Sequence, residues 1–193
     1  MNKVTNILMV GVGGQGVILA SEIVAETMML AGFDVKKSEV HGMAQRGGMV
    51  NSHIRFGPNV YSPVIKKAEA DYLFAFEMLE SLRFLDFLVK DPVILLNKQQ
   101  ILPPSVTSGE DEYPRDICGL LSKRYHHVDV VDSLAIAKNA GNTKTSNIAF
   151  LGSVSTYFEI KEQLWEDTIA KFVPESLLNI NLKAFSLGRK FLV

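Results

Sequence analysis

Cysteine is almost missing from this chain. Among 193 residues Cys118 is the single thiol, so no disulfide can form within the chain and a reducing compartment is the natural setting. An iron–sulfur cluster takes about four cysteine ligands, more than this chain can supply unaided. No apolar run approaches the roughly 20 residues that span a bilayer. The first residues lack the apolar core and small-residue cleavage site of a signal peptide, so a cytoplasmic location is expected. An excess of either charge is also lacking: 20 Lys and Arg stand against 21 Asp and Glu, which argues against a general nucleic-acid or membrane-surface role. No zinc-ligand set, internal repeat, low-complexity tract or linker stands out. What remains is a 47% hydrophobic chain, enough for one core and one domain spanning 1–193.

Against that background one stretch is dense in glycine: Gly11-Val12-Gly13-Gly14-Gln15-Gly16. It follows an apolar run ending at Val10 and precedes a helix-forming run from Val17 to Leu30. The first turn of a helix leaves backbone N–H groups without partners, and the helix dipole adds partial positive charge there. That combination suits an anion, most often a phosphate. Gly11, Gly13 and Gly16 also meet the G-x-G-x-x-G spacing in its confirming strand–turn–helix context. The plain alternative is a glycine-rich turn that binds nothing.

Down the chain the pattern predicts an α/β fold, a Rossmann-like three-layer sandwich with a mainly parallel central sheet. Val17–Leu30 has helical spacing and Gly32 closes it. Phe33–Val40 reads as a second strand, joined to the first by a parallel βαβ crossover. Residues 41–48, His-Gly-Met-Ala-Gln-Arg-Gly-Gly, have no period and read as a loop. Met49–Phe56 alternates as a strand and Val60–Ile65 as a short return, a β-β insertion projecting from the sheet. Ala70–Phe76 and Val93–Asn97 read as buried strands flanking a helix over Glu77–Lys90, stopped by Asp91-Pro92. Lys98–Tyr113 reads as a surface connection with a minor strand. A helix over Arg115–Arg124, a strand over His127–Val131 and a helix over Ser133–Ala140 follow, then extra C-terminal helices over Asn147–Phe158, Lys161–Phe172 and Pro174 to about Leu192.

Between Phe33 and Lys67 stand six basic residues (Lys36, Lys37, Arg46, Arg55, Lys66, Lys67) and two acidic ones (Asp34, Glu39). If the loop after the second strand lies beside the glycine loop, both face the crevice where open α/β sheets bind ligands, and Arg46 is the best anion partner there. Solvated surface charge is the competing explanation for the lysines. Glu39 lies about 23 residues after Gly16, close to where a dinucleotide fold places its ribose-binding acid. His41 and His53 have no companion nucleophile, and Cys118, beside Ile117 and Leu121, suits a core position better than a nucleophile.

Taken together, Gly11–Gly16, residues 41–48, Ser52-His53-Ile54-Arg55, and Gly141-Asn142 with Asn147 and Leu151-Gly152 resemble the gamma-type subunits of 2-oxoacid:ferredoxin oxidoreductases, the pyruvate/ketoisovalerate oxidoreductase gamma type. The resemblance runs over nearly the whole chain and comes nearest to the small subunits of enzymes acting on indolepyruvate. It implies a non-autonomous subunit of an assembly that decarboxylates a 2-oxoacid oxidatively, forms an acyl-CoA and passes electrons to ferredoxin. It also implies that thiamine diphosphate and the 4Fe–4S clusters reside in a large partner subunit; this chain has no Gly-Asp-Gly thiamine signature. By the same resemblance Gly11, Gly13, Gly14, Gln15 and Gly16 approach the coenzyme A phosphates or the partner interface, and Gln45 and Arg46 line the same crevice, with no catalytic or metal-binding residue in this chain. Two other readings compete: a stand-alone NAD- or FAD-dependent oxidoreductase, which Glu39 favours, and a nucleotide-sensing or scaffold protein.

Overall fold

The glycine turn sits at the carboxyl edge of a six-stranded sheet with order β2-β3-β1-β4-β5-β6. The computed structural model describes residues 3–41 and 48–191. The strands are β1 (Thr5–Val12), β2 (Asp34–His41), β3 (Met49–Gly57), β4 (Ala70–Ala75), β5 (Leu88–Asn97) and β6 (His127–Val131). The helices are α1 (Val17–Leu30), α2 (Met78–Arg83), α3 (Pro104–Thr107), α4 (Ile117–Ser122), α5 (Ser133–Ala140), α6 (Ser146–Ser155), α7 (Glu162–Phe172) and α8 (Glu175–Arg189), with 3₁₀ turns at Leu85–Phe87 and Thr143–Thr145.

Alternation along β1 sorts the core into two layers, because successive side chains of a strand leave opposite faces. Ile7 and Met9 pack with Phe74, Phe76 and Leu95 beneath α1, α5, α6, α7 and α8. Leu8 and Val10 pack with Leu73, Ile94 and Leu96 beneath α2 and α4. The first side is much the thicker. There Trp165 of α7 is fully buried, 6.3 Å from the ring of Phe185 on α8. Helices α6 and α8 touch backbone to backbone: a Cβ on Gly152 would lie 2.2 Å from the Phe185 carbonyl oxygen, and one on Gly188 would lie 1.9 Å from that of Ala149.

The sheet is mixed, and here the sequence reading needs correction. Strands β1, β4, β5 and β6 pair in parallel. Strand β3, however, lies between β1 and β2 and runs antiparallel to both. The expected direct parallel β1–β2 pairing is therefore absent, and β3 is part of the sheet instead of projecting from it. Val60–Ile65 forms no strand; Arg55 holds that segment instead, its Nη1 donating to the Ser62 and Val64 carbonyls at 3.1 and 3.2 Å. The helix expected to reach Lys90 ends at Arg83, and β5 begins at Leu88, upstream of Pro92. The β4–β5 register passes from Ala70↔Leu88 to Tyr72↔Val93, so Pro92 occupies an irregular stretch that needs no donor from it. The minor strand expected before Tyr113 is absent, replaced by the one-turn helix α3. Helix α4 starts at Ile117 because Asp116 caps it, accepting from Gly119 N–H at 2.8 Å.

Candidate functional site

Three strand ends meet at the glycine turn. Phe76 N–H donates to the Val10 carbonyl and Gly13 N–H to the Gly48 carbonyl, both at 2.8 Å. The glycines have separate tasks. A Cβ on Gly11 would sit 2.8 Å from Gln15 Oε1 and 2.9 Å from Phe76 Cβ, so this position makes room for the Gln15 side chain. Gly14 and Gly16 take φ of 101° and 77°, the left-handed region that L side chains enter at a cost. Gly16 also lies against Asn147 of α6, whose Nδ2 would be 2.5 Å from an added Cβ.

Gln15 is spent inside this edge. Its Oε1 accepts from Val12 N–H at 2.7 Å, and its Nε2 donates to the Phe76 carbonyl at 2.8 Å and to Gln99 Oε1 at 2.9 Å. Buried Asn97 donates to the same two acceptors and accepts from Ser133, whose hydroxyl lies 2.7 Å from that of Ser146. A second buried group, Glu77, caps α2 through Glu80 N–H and accepts from Ile101 N–H at 3.1 Å and the Tyr113 hydroxyl at 2.7 Å. Burial, then the bond to Glu77, pushes the Tyr113 phenol well above its usual range. Together these contacts hold the segment after β5 against the glycine turn.

A cleft of about 410 Å³ opens here, lined by Gly13, Gly14, Gln15, Gly16, Gln99 and Ile101 together with Leu134, Thr143, Lys144, Ser146 and Asn147. Its size is that of a small-molecule site. Helix α1 presents its N-cap residue Gly16 to it with no side-chain cap, whereas α6 runs on from the 3₁₀ turn at Thr143–Thr145, and its first N–H, that of Ser146, donates to the Thr143 carbonyl. The free first-turn N–H groups and dipole of α1 favour an anion. Among the described residues lining the cleft, Lys144 is the one charged side chain, and it makes no ion pair within the described residues.

The sequence-predicted residues divide accordingly. Gly13, Gly14, Gln15 and Gly16 form one wall, and Gly11 lies behind it. Gln45 and Arg46 lie outside the described residues; before them β2 ends at His41, and after them Gly48 lies beside Gly13. The remaining basic residues do not adjoin the glycines. Lys36 lies opposite Arg55, which lies opposite Asn6 near the amino end of β1, about 20 Å along the strand from the turn. Lys67 pairs with Asp86 at 3.1 Å. Lys37 faces α1, bound to Glu22 and Glu39.

Glu39 fails as a ribose ligand because β3 separates its strand from β1, whereas a dinucleotide fold needs the two adjacent. His53 is a core residue: its Nδ1 accepts from Ile65 N–H at 3.0 Å, and burial pushes the imidazole below its usual range. Cys118 is half-buried against the second core layer, and burial pushes its thiol up. Sequence reasoning passed over Lys144, Gln99 and Ser146; only Asn142 and Asn147, which bracket Lys144 and Ser146, carried any signal.

Residues 6–191 match the family described as pyruvate ferredoxin/flavodoxin oxidoreductase. The chain belongs to this family. It is an oxidoreductase subunit that acts as part of a complex. A relative from Archaeoglobus fulgidus, named indolepyruvate oxidoreductase subunit IorB, is 39% identical over 187 residues, 95% of this chain and 92% of that protein. Among solved structures, the gamma subunit of a keto/oxoacid ferredoxin oxidoreductase from Geobacter sulfurreducens shares the fold with a TM-score of 0.70 at 23% identity, covering 96% of each chain. A 2-oxoglutarate:ferredoxin oxidoreductase from Magnetococcus marinus, described with 2-oxoglutarate, coenzyme A and succinyl-CoA bound, aligns with a TM-score of 0.76 at 20% identity, over 98% of this chain and 31% of that one. The fold of this subunit is thus found both as a separate chain and as a segment of a longer one.

Proposed function

We propose that this chain is the single-domain small subunit of an indolepyruvate-type 2-oxoacid:ferredoxin oxidoreductase in the cytoplasm, and that its cleft forms the coenzyme A side of a site completed by a large partner subunit. The observation that carries this reading is the meeting of the uncapped N-terminus of α1 with Lys144, which makes no ion pair among the described residues, at one cleft. Coenzyme A is rich in phosphate, and first-turn N–H groups with an ammonium beside them bind phosphate by charge-assisted hydrogen bonds. In this reading Gly13, Gly14 and Gly16 let the backbone approach the phosphates, Gly11 and Gln15 hold the turn, and Gln45 and Arg46 border the same crevice.

The rest of the chemistry belongs to the partner. A cluster needs about four cysteines, and this chain has one. In this reading the 4Fe–4S clusters, and with them thiamine diphosphate as the family resemblance implies, belong to the large subunit, which decarboxylates the oxoacid and reduces ferredoxin. The stand-alone NAD or FAD reading loses its support with Glu39.

The test is steady-state kinetics of the assembled complex carrying Lys144→Glu. The Michaelis constant for coenzyme A should rise about tenfold, the loss of one charge-assisted contact, with that for the oxoacid unchanged. An unchanged value for coenzyme A overturns the reading. A second reading, that this wall contacts the partner, is favoured by the partly exposed Ile18 and Leu134; it expects Lys144→Glu to weaken assembly in size-exclusion chromatography instead.

A further inference from the structure

Gln15 borders the cleft, yet both N–H groups of its amide are already used, one on the Phe76 carbonyl and one on Gln99 Oε1. Its oxygen is turned to Val12 N–H. An anion needs donors, and this side chain has none left to offer. What the amide does is join the ends of β1, β4 and β5 directly beneath the turn. From Gln99 the chain of bonds continues through Asn97 and Ser133 to Ser146, the first residue of α6 and itself a lining residue of the cleft. One hydrogen-bonded chain therefore links the glycine turn to α6.

We propose that Gln15 is a positioning residue: it fixes the peptide planes of the glycine turn, and through Asn97 and Ser133 the spacing between the turn and α6, without touching the ligand. This inference rests on the coenzyme A reading of the cleft. A turn rich in glycine has many accessible conformations, and ordering it at the moment of binding costs affinity. An internal clamp removes that cost beforehand. Gly11 is the matching half of the device, since a side chain there would meet the Gln15 amide. Asn97 donates to both acceptors that Gln15 uses, at 3.1 and 3.3 Å. Loss of the Gln15 donors therefore strands neither acceptor, and the variant is expected to fold.

The test uses Gln15→Met, close in shape and without the amide. Two measurements are made: kinetics of the assembled complex, and amide hydrogen exchange of the full chain at Val12, whose N–H is held by Gln15. The expected result is a rise of about tenfold in the Michaelis constant for coenzyme A, with kcat and the oxoacid constant unchanged and faster exchange at Val12. A raised constant with unaltered exchange would mean direct contact and overturn the proposal. So would an unchanged constant, or a joint loss in kcat and both constants, which marks general damage. Lys144→Glu measured in parallel separates the two ideas. If it raises the coenzyme A constant while Gln15→Met does not, the positioning role alone falls. If neither variant moves that constant, the coenzyme A reading falls and the positioning role with it.

Discussion

At the amino edge of the sheet, basic side chains find partners close by. Lys3 binds Asp71 at 2.9 Å, Lys36 binds Asp34 at 2.6 Å, and Arg55 Nε donates to Asn6 Oδ1 at 2.8 Å, while Asn6 itself reaches Asp71. At the carboxyl edge the neutral amides of Gln15, Asn97 and Gln99 are bound to one another, while Lys144 and the first-turn N–H groups of α1 are left at the cleft. Of the basic residues counted along this part of the chain, Lys36, Lys37, Arg55 and Lys67 are bound to neighbours away from the glycines, and charge already paired with a neighbour is not available to a ligand.

The sharpest way to break this comparison is Gly16→Ala. The substitution forces an L residue into the left-handed region, which costs about 1–2 kcal/mol, and sets a methyl against Asn147. A stability loss of about 2–3 kcal/mol is expected, read as a fall in Tm of roughly 4–10 °C by calorimetry, together with loss of coenzyme A binding. A fully stable variant would mean that the turn adapts easily and that its shape does not matter.

A smaller effect belongs to His53, between the two edges. Its pKa in the folded state lies below the unfolded value near 6.5, so its contribution is fully present above about pH 6.5. It is lost as pH falls from there through the folded pKa, because the unfolded chain takes up the proton first. His53→Gln, which can still accept from Ile65 N–H, should flatten the decline in denaturant-measured stability between about pH 7 and pH 5. An unchanged slope would assign the acid sensitivity to other groups.

The smallest effect should come from the amino edge itself. Lys36→Gln breaks a solvent-exposed pair with Asp34 and should leave the denaturation midpoint within the error of its measurement, with the Michaelis constant for coenzyme A unaltered. A rise in that constant would erase the distinction between the edges.

Much of the local structure was legible from the residues. Val17–Leu30, His127–Val131 and Ser133–Ala140 coincide with observed elements, each having a clear period and a stop signal next to it: Gly32, Asp132 or Gly141. Glu77–Lys90 misled because Leu82 and Leu85 keep a helical spacing across the end of α2 at Arg83, into the 3₁₀ turn that leads to β5 at Leu88. There both core layers demand an extended strand, and tertiary pairing outweighs a weak local preference.

By itself the sequence determined the glycine turn, its strand and helix, and, through one cysteine and a balanced charge, the limits on what this chain can do. These are properties of neighbouring residues: φ preferences, alternation and composition. Tertiary structure alone decided that β3 enters between β1 and β2, which removes Glu39 from the site, and that Gln15 meets Gln99 from 84 positions away. It also decided that Lys144 lines the same cleft as the glycines. Strand order and side-chain partners at that separation depend on which distant surfaces bury one another, and no local period records that choice.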